Sequence, residues 1–350
     1  MRKTLIDLAK YLNCILVPET HEEYEIKPVF ERIASAEKIR EGVLAFRDFL
    51  SRLYNVLEAE GNVYDTSKKE AHKNANRTRL SVYFPFLHNV NTMLEKIGYY
   101  GEFVENAGAL ACDNTIYSDK LSVRKTLESL RFLAQCGICM EGIDLSDTRQ
   151  NLSVLQPIKV TYPENPAMLV GMKVLAIAEI EHRTLVNQDV LLRCDYRTLK
   201  QDKTDALSIV QDTIRPLSAD VQDFVLSLHH RYLDKGFTCV VEVKGFYIYI
   251  RYCYKRKDVW GINASLNNGY HINVKPVKTQ EYTDTVSAFH PYLRAIIAQG
   301  YGCGRKRAEI GHCDGGCSGL AIPLDGSVLE MRNDIVSWFD QELSWLQRKK

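Results

Sequence analysis

No run of the 350-residue sequence is long and apolar enough to suggest a membrane span. The longest nearly uncharged stretch, Pro166 to Ala178, contains Lys173 and falls short of the roughly 18 apolar residues a bilayer requires. Nothing in the first residues resembles an export signal, because Asp7 and Lys10 interrupt the apolar residues that follow Arg2 and Lys3. Neither sign of charge is in excess. With 45 Lys and Arg against 44 Asp and Glu, no global field draws the chain to nucleic acid or to anionic membrane, and any such binding must come from a local patch. Ten cysteines are too dilute for a small disulfide scaffold, so the sequence predicts a cytoplasmic protein in a reducing compartment, with no membrane partner. Catalytic signatures are absent too: there is no Gly-x-Ser-x-Gly elbow, His-Glu-x-x-His, kinase signature, phosphate loop ending in Gly-Lys-Ser/Thr, or Rossmann fingerprint. No repeat of 20 to 50 residues and no low-complexity tract is present.

What is present suffices for two domains: the length is about twice a typical domain, and 45% of residues are hydrophobic. Residues 1–215 read as a mainly helical domain. Helices are predicted over Met1 to Leu16, Ala36 to Glu60, Ser81 to Ile97 with Gly98 as terminator, and Ser118 to Gln135 before Gly137. In the second, Ile39, Val43, Phe46, Leu50, Leu53 and Leu57 make one apolar stripe. Asn165 as N-cap and Pro166 open a helix reaching His182, apolar all round and so interior. Strands over Ile138 to Leu145 and Val154 to Tyr162 would close a hairpin, giving the helix, helix, hairpin order of a winged-helix module. Beside the expected buried stripe Val123, Leu127, Leu130, Leu133 and Ala134, the cations Lys120, Arg124 and Arg131 share one helical edge. These three are the candidate DNA contacts, assisted by the basic loop from Thr66 to Arg79; a solvated helix face is the alternative. A weaker helix from Thr204 to Ile214 meets Arg215-Pro216, which sets the expected domain boundary.

Residues 216–350 read as an α+β domain. Ser218 caps a helix burying Val221, Phe224, Val225 and Leu228. Thr238 to Lys244, Phe246 to Tyr254, Asp258 to Ser265 and Tyr270 to Pro276 predict a four-stranded antiparallel meander, with Asn268-Gly269 as its strongest turn signal. A helix from Thr283 to Gln299 bent at Pro291, a fifth strand at Gly319 to Leu324 and a closing helix from Ser327 to Gln347 complete the domain.

The segment from Gly300 to Gly319 holds seven of the twenty glycines and three of the ten cysteines. A loop of that length inside a compact domain is uncommon unless it is functional or cross-linked. In a reducing compartment zinc is the natural staple, so Cys303, Cys313, Cys317 and adjacent His312 are the candidate metal ligands, with His290, Cys253 or water as alternatives for the fourth position. A redox pair of these cysteines, or ordinary small residues in a turn-rich loop, are the competing readings. Arg305, Lys306 and Arg307 lie among glycine N–H groups that suit an anion. Tyr247, Tyr249, Trp260 and Tyr270 are candidates to line a small-molecule groove, although aromatic residues also simply build sheets. Adjacent His229 and His230 diverge on their helix and do not chelate one ion readily.

The helix beginning Pro216-Leu-Ser-Ala-Asp-Val-Gln-Asp-Phe224, the hairpins and the strand Leu320-Ala-Ile-Pro-Leu-Asp325 resemble the frataxin-like, YdhG-type family of small bacterial α/β domains. That resemblance covers about the last 130 residues. It implies a sheet flanked by helices and, for some members, an iron-chaperone role; the inserted cysteine loop departs from the pattern, so no iron-site residues are carried over. The leading expectation is a bacterial metal-binding protein, with structural zinc, that acts by binding a ligand or a macromolecule. The alternatives are a winged-helix transcriptional regulator with a C-terminal sensor domain and a thiol-dependent redox enzyme.

Overall fold

The computed structural model describes residues 3–18, 24–65, 80–104, 106, 108–113, 116–117, 121–147, 157–181, 190–202, 204–244, 247–276, 279–299 and 320–348. The chain forms two compact units, one from Met1–Thr204 with Lys244–Phe246 and one from Asp205–Val243 with Tyr247–Lys350. The class is α+β: the first unit is mostly helical, and the second is built on a five-stranded antiparallel sheet.

The first unit contains α1 (Leu5–Ile15), α2 (Ala36–Tyr64), α3 (Pro85–Tyr100), α4 (Val123–Gln135) and α5 (Ala167–Glu181). A capping box starts α1, with Asp7 N donating to Thr4 Oγ1 at 3.1 Å and Thr4 N donating to Asp7 Oδ2 at 2.8 Å. The stripe expected along α2 is buried, from Ile39 to Leu57. The apolar α5 packs against both α2 and α3, which is why it needs no polar face. Where α2 and α5 cross, the two backbones touch: a Cβ on Gly171 would stand 2.0 Å from the Gly42 carbonyl oxygen.

Gly98 does not end its helix. The helix continues to Tyr100, and Gly98 is instead a close-packing position, where a Cβ would lie 2.8 Å from Ala176 Cβ and 2.9 Å from the Met172 carbonyl oxygen. The start of this helix is split: a short helical turn, Leu80–Tyr83, covers the expected beginning at Ser81, and the main helix starts at Pro85 because proline is pre-set for the first helical position. Buried Lys173 of α5 closes the far end of α3, donating from Nζ to the Gly101 carbonyl at 2.5 Å and to that of Tyr99 at 3.5 Å. Burial pushes the pKa of this amine down. Further along, Asp195 accepts from Arg193 Nη2 at 2.6 Å and from Arg197 Nε at 2.7 Å, an ion triplet hidden from solvent. Burial alone would raise the Asp195 carboxyl, but Arg197 and Arg193 outweigh it and hold the carboxyl far below the usual carboxylate range.

The second unit contains α6 (Ala206–Ile214), α7 (Ala219–Asp234), α8 (Pro291–Gln299) and α9 (Arg332–Arg348). Its sheet runs in the order β5 (Thr238–Lys244), β6 (Tyr247–Tyr254), β7 (Lys257–Ser265), β8 (Gly269–Val274) and β9 (Leu320–Pro323), the predicted meander with its added strand. The division between units falls at Thr204, ahead of Arg215-Pro216, because α6 packs on α7; the proline ends α6 without separating the units. The helix expected from Thr283 to Gln299, with a bend at Pro291, is broken there into two, Thr283–Ser287 and α8, with Pro291 starting the second. Among the described residues no helix is long and apolar enough to cross a membrane.

Turn chemistry departs from expectation. Ser265 pairs with Gly269 across three residues, and in this turn only Gly269, at φ 64°, takes the left-handed conformation. The tight two-residue turn joins β6 to β7, with Lys255 at φ 46° and Arg256 at φ 67°.

Candidate nucleic-acid interface

The first unit's sheet consists of β1 (Glu102–Val104), β2 (Ala109–Cys112), β3 (Cys139–Glu141) and β4 (Ile158–Thr161), in the order β1-β2-β4-β3. β1 and β2 escaped the sequence reading, since runs of three and four residues carry too few alternations to register a period. Their presence changes the setting of the hairpin. Strand β4 pairs antiparallel with β3 on one side and with β2 on the other, so the helix α4 lies in sequence between two strands, β2 and β3, that flank the same partner.

Helix α4 begins at Ser122, whose hydroxyl accepts from Lys125 N at 3.4 Å; Ser118 lies outside the described residues. Its buried side is Thr126, Leu127, Ser129, Leu130, Phe132 and Leu133, with Val123 and Ala134 at the margin. Phe132 meets Phe86 and Tyr64 edge-on, each at a centroid distance of 5.2 Å, and those two rings stack on each other at 4.3 Å, locking α4 against α2 and α3. Gly137, at φ 104°, terminates the helix as predicted, so β3 starts within a turn of its end.

This anchoring leaves Arg124 and Lys125 exposed in the first turn of α4, without an ion pair among the described residues. His88, on neighbouring α3, has its pKa lowered first by burial and then by repulsion from Lys125. Arg131 is different: half-buried, it donates from Nε to the Leu145 carbonyl and braces the turn after β3. It therefore leaves the expected basic edge for a structural task. Lys120 and the basic stretch 66–79 lie outside the described residues. On the hairpin, Lys159 stands opposite Glu141 and approaches it to 3.6 Å.

The four aromatic residues proposed for a ligand groove do not come together. Register places Tyr249 opposite Asn263, on the sheet face shared with Arg251 and His271, whereas Trp260 stands opposite Tyr252 and Val274, and Tyr270 opposite Ala264, on the other face. Trp260 is core, stacked on Tyr252 at 3.7 Å and on Phe339 at 5.4 Å. Tyr247 follows Tyr249 in alternation and approaches it at 6.2 Å. His229 is also buried, with Nδ1 2.7 Å from the Tyr252 hydroxyl. Cys303, Cys313, Cys317 and His312, like Arg305, Lys306 and Arg307, lie outside the described residues. Among the described residues no group of three or more His, Cys, Asp or Glu side chains converges for a metal ion. Comparison with family models, curated proteins and solved structures finds no match to this chain.

Proposed function

We propose that the first unit binds duplex nucleic acid, with α4 as the element laid against the duplex and the β3–β4 hairpin as its flanking wing. The observation carrying this reading is the strand order: β4 sits between β3 and β2, and α4 connects β2 to β3, an arrangement similar to a winged-helix module. Exposed Arg124 and Lys125 supply phosphate contacts in the first turn of α4, where the helix N-terminus also favours an anion. Arg131 is left out of it, since its half-buried guanidinium is turned inward, with Nε bonded to the Leu145 carbonyl. Retention of the wild type on duplex DNA at low salt, lost when Arg124 and Lys125 are both changed to glutamate, tests the reading. Absence of wild-type retention removes it.

A second proposal concerns the segment from Gly300 to Gly319. It lies in sequence between α8 and β9, two elements that pack on each other, so the twenty residues are bracketed by ends held together. Holding a chain segment of that length between such ends costs closure entropy that a cross-link offsets, and Cys303, Cys313 and Cys317 with His312 are the residues that would hold zinc. Near-stoichiometric zinc in untagged protein, lost in Cys313→Ser, supports this. Rapid alkylation of one of these cysteines in metal-free protein favours thiol chemistry instead.

A further inference from the structure

The β6–β7 hairpin of the second unit has an unusual tip. Tyr254 pairs with Lys257, leaving Lys255 and Arg256 as the only loop residues, both in the left-handed region. A turn of this type calls for Asn, Asp or Gly at both positions, because only those residues adopt positive φ at little cost. This chain places two long cations there and follows them with a third, Lys257. All three are exposed, and none makes an ion pair among the described residues. The nearest carboxylate in sequence, Asp258, is committed elsewhere: it accepts from Lys275 Nζ at 2.7 Å and faces Arg251 Nη1 at 3.4 Å. Backbone strain is thus accepted at the tip of a hairpin whose stem is anchored by aromatic packing, with Tyr252 stacked on Trp260, a register shift between Tyr252 and Cys253, and Tyr254 against Phe237 at 5.4 Å.

We infer that this tip is a contact for the phosphate backbone of duplex nucleic acid. A two-stranded ribbon fits the major groove, and a tight turn sets the backbone from which the ammonium and guanidinium groups at its end reach phosphate oxygens. A membrane surface fits less well, because the exposed tip carries no apolar residue to insert between lipids. The inference stands on the turn and its charges, independently of α4.

The double substitution Lys255→Asn/Arg256→Gly installs the residues the turn prefers, so it tests the charges without threatening the fold. Binding to a mixed-sequence duplex of about 25 base pairs is followed by fluorescence anisotropy between about 50 and 200 mM salt. The expected result is a melting temperature equal to or above that of the wild type, affinity about tenfold weaker at the lower salt, and a log K against log salt slope shallower by about 2, close to 0.9 per lost phosphate contact. An unchanged slope and affinity overturn the inference, as does a loss of binding confined to phosphatidylserine vesicles. Arg124→Glu/Lys125→Glu, measured in parallel, separates the two surfaces: weakening by the hairpin variant alone supports this inference while removing α4, and the reverse removes the hairpin.

Discussion

Gly171→Ala reverses the sign that helix propensity alone gives. In an isolated helix the change stabilises by up to about 1 kcal/mol. Here the new methyl group would stand 2.0 Å from the Gly42 carbonyl oxygen and 2.4 Å from its carbon, both backbone atoms that cannot rotate away. Relief requires α2 and α5 to separate by more than about an ångström along the main helix contact of the first unit. Overpacking of this kind costs about 1–3 kcal/mol, and a backbone obstacle puts the cost at or above the top of that range. For a unit of this size each kcal/mol moves the midpoint by about 2–4 °C, so a fall of about 6–12 °C is expected by circular dichroism. Gly326→Ala is the matched control, since no atom lies within 4 Å of a Cβ there. A neutral or stabilised Gly171→Ala protein would refute the backbone contact between α2 and α5.

Two further outcomes follow from buried charge. Asp195→Asn leaves the Arg193 guanidinium buried beside a neutral amide and should cost about 3–5 kcal/mol at neutral pH. Because the wild-type carboxyl is depressed, its contribution is complete above the unfolded value near 4 and is lost as pH falls through the folded value. The Asn variant should therefore show a flatter dependence of unfolding on pH below about 4, and an unaltered slope contradicts the triplet. His229 and His271 are both held down first by burial, so each stabilises the second unit while neutral. That stability is complete above about 6.5 and disappears as pH falls. Neither imidazole should titrate near 6.5 by nuclear magnetic resonance, and the melting temperature should drop between about pH 7.5 and 5.5. Ordinary titration of both rings would contradict their burial.

Much of the second unit was legible because its strands are long and bounded by breakers: Thr238–Lys244, Tyr247–Tyr254 and Lys257–Ser265 each carry enough β-branched and aromatic residues to outweigh local ambiguity. Its turns were less legible. Hairpin connections were expected both at Lys255 to Lys257 and at Leu266 to Gly269, with Asn268-Gly269 the stronger signal, yet the sheet pairing makes the Lys255-Arg256 turn the tight two-residue one, where the residue types argue against it. In the first unit α2 and α5 were readable from periodicity and uniform apolarity. Gly98 was misread because a glycine suited to ending a helix is equally suited to letting two helices touch, and sequence carries no record of the neighbour. The candidate interface was partly visible: of the cations singled out in the sequence, Arg124 is exposed on α4, but Lys125 was passed over because it stands about 100° round the helix from the expected edge, and the diversion of Arg131 to Leu145 depends on a turn whose position only the fold supplies.

The most direct test of the functional account is the salt dependence of duplex binding by the full chain, with and without Arg124→Glu/Lys125→Glu. The account predicts wild-type affinity that falls linearly in log K against log salt, and a charge-reversed protein that keeps its melting temperature but loses about two units of that slope along with most of its low-salt affinity. Identical curves for the two proteins, or no wild-type binding at about 50 mM salt, would contradict it.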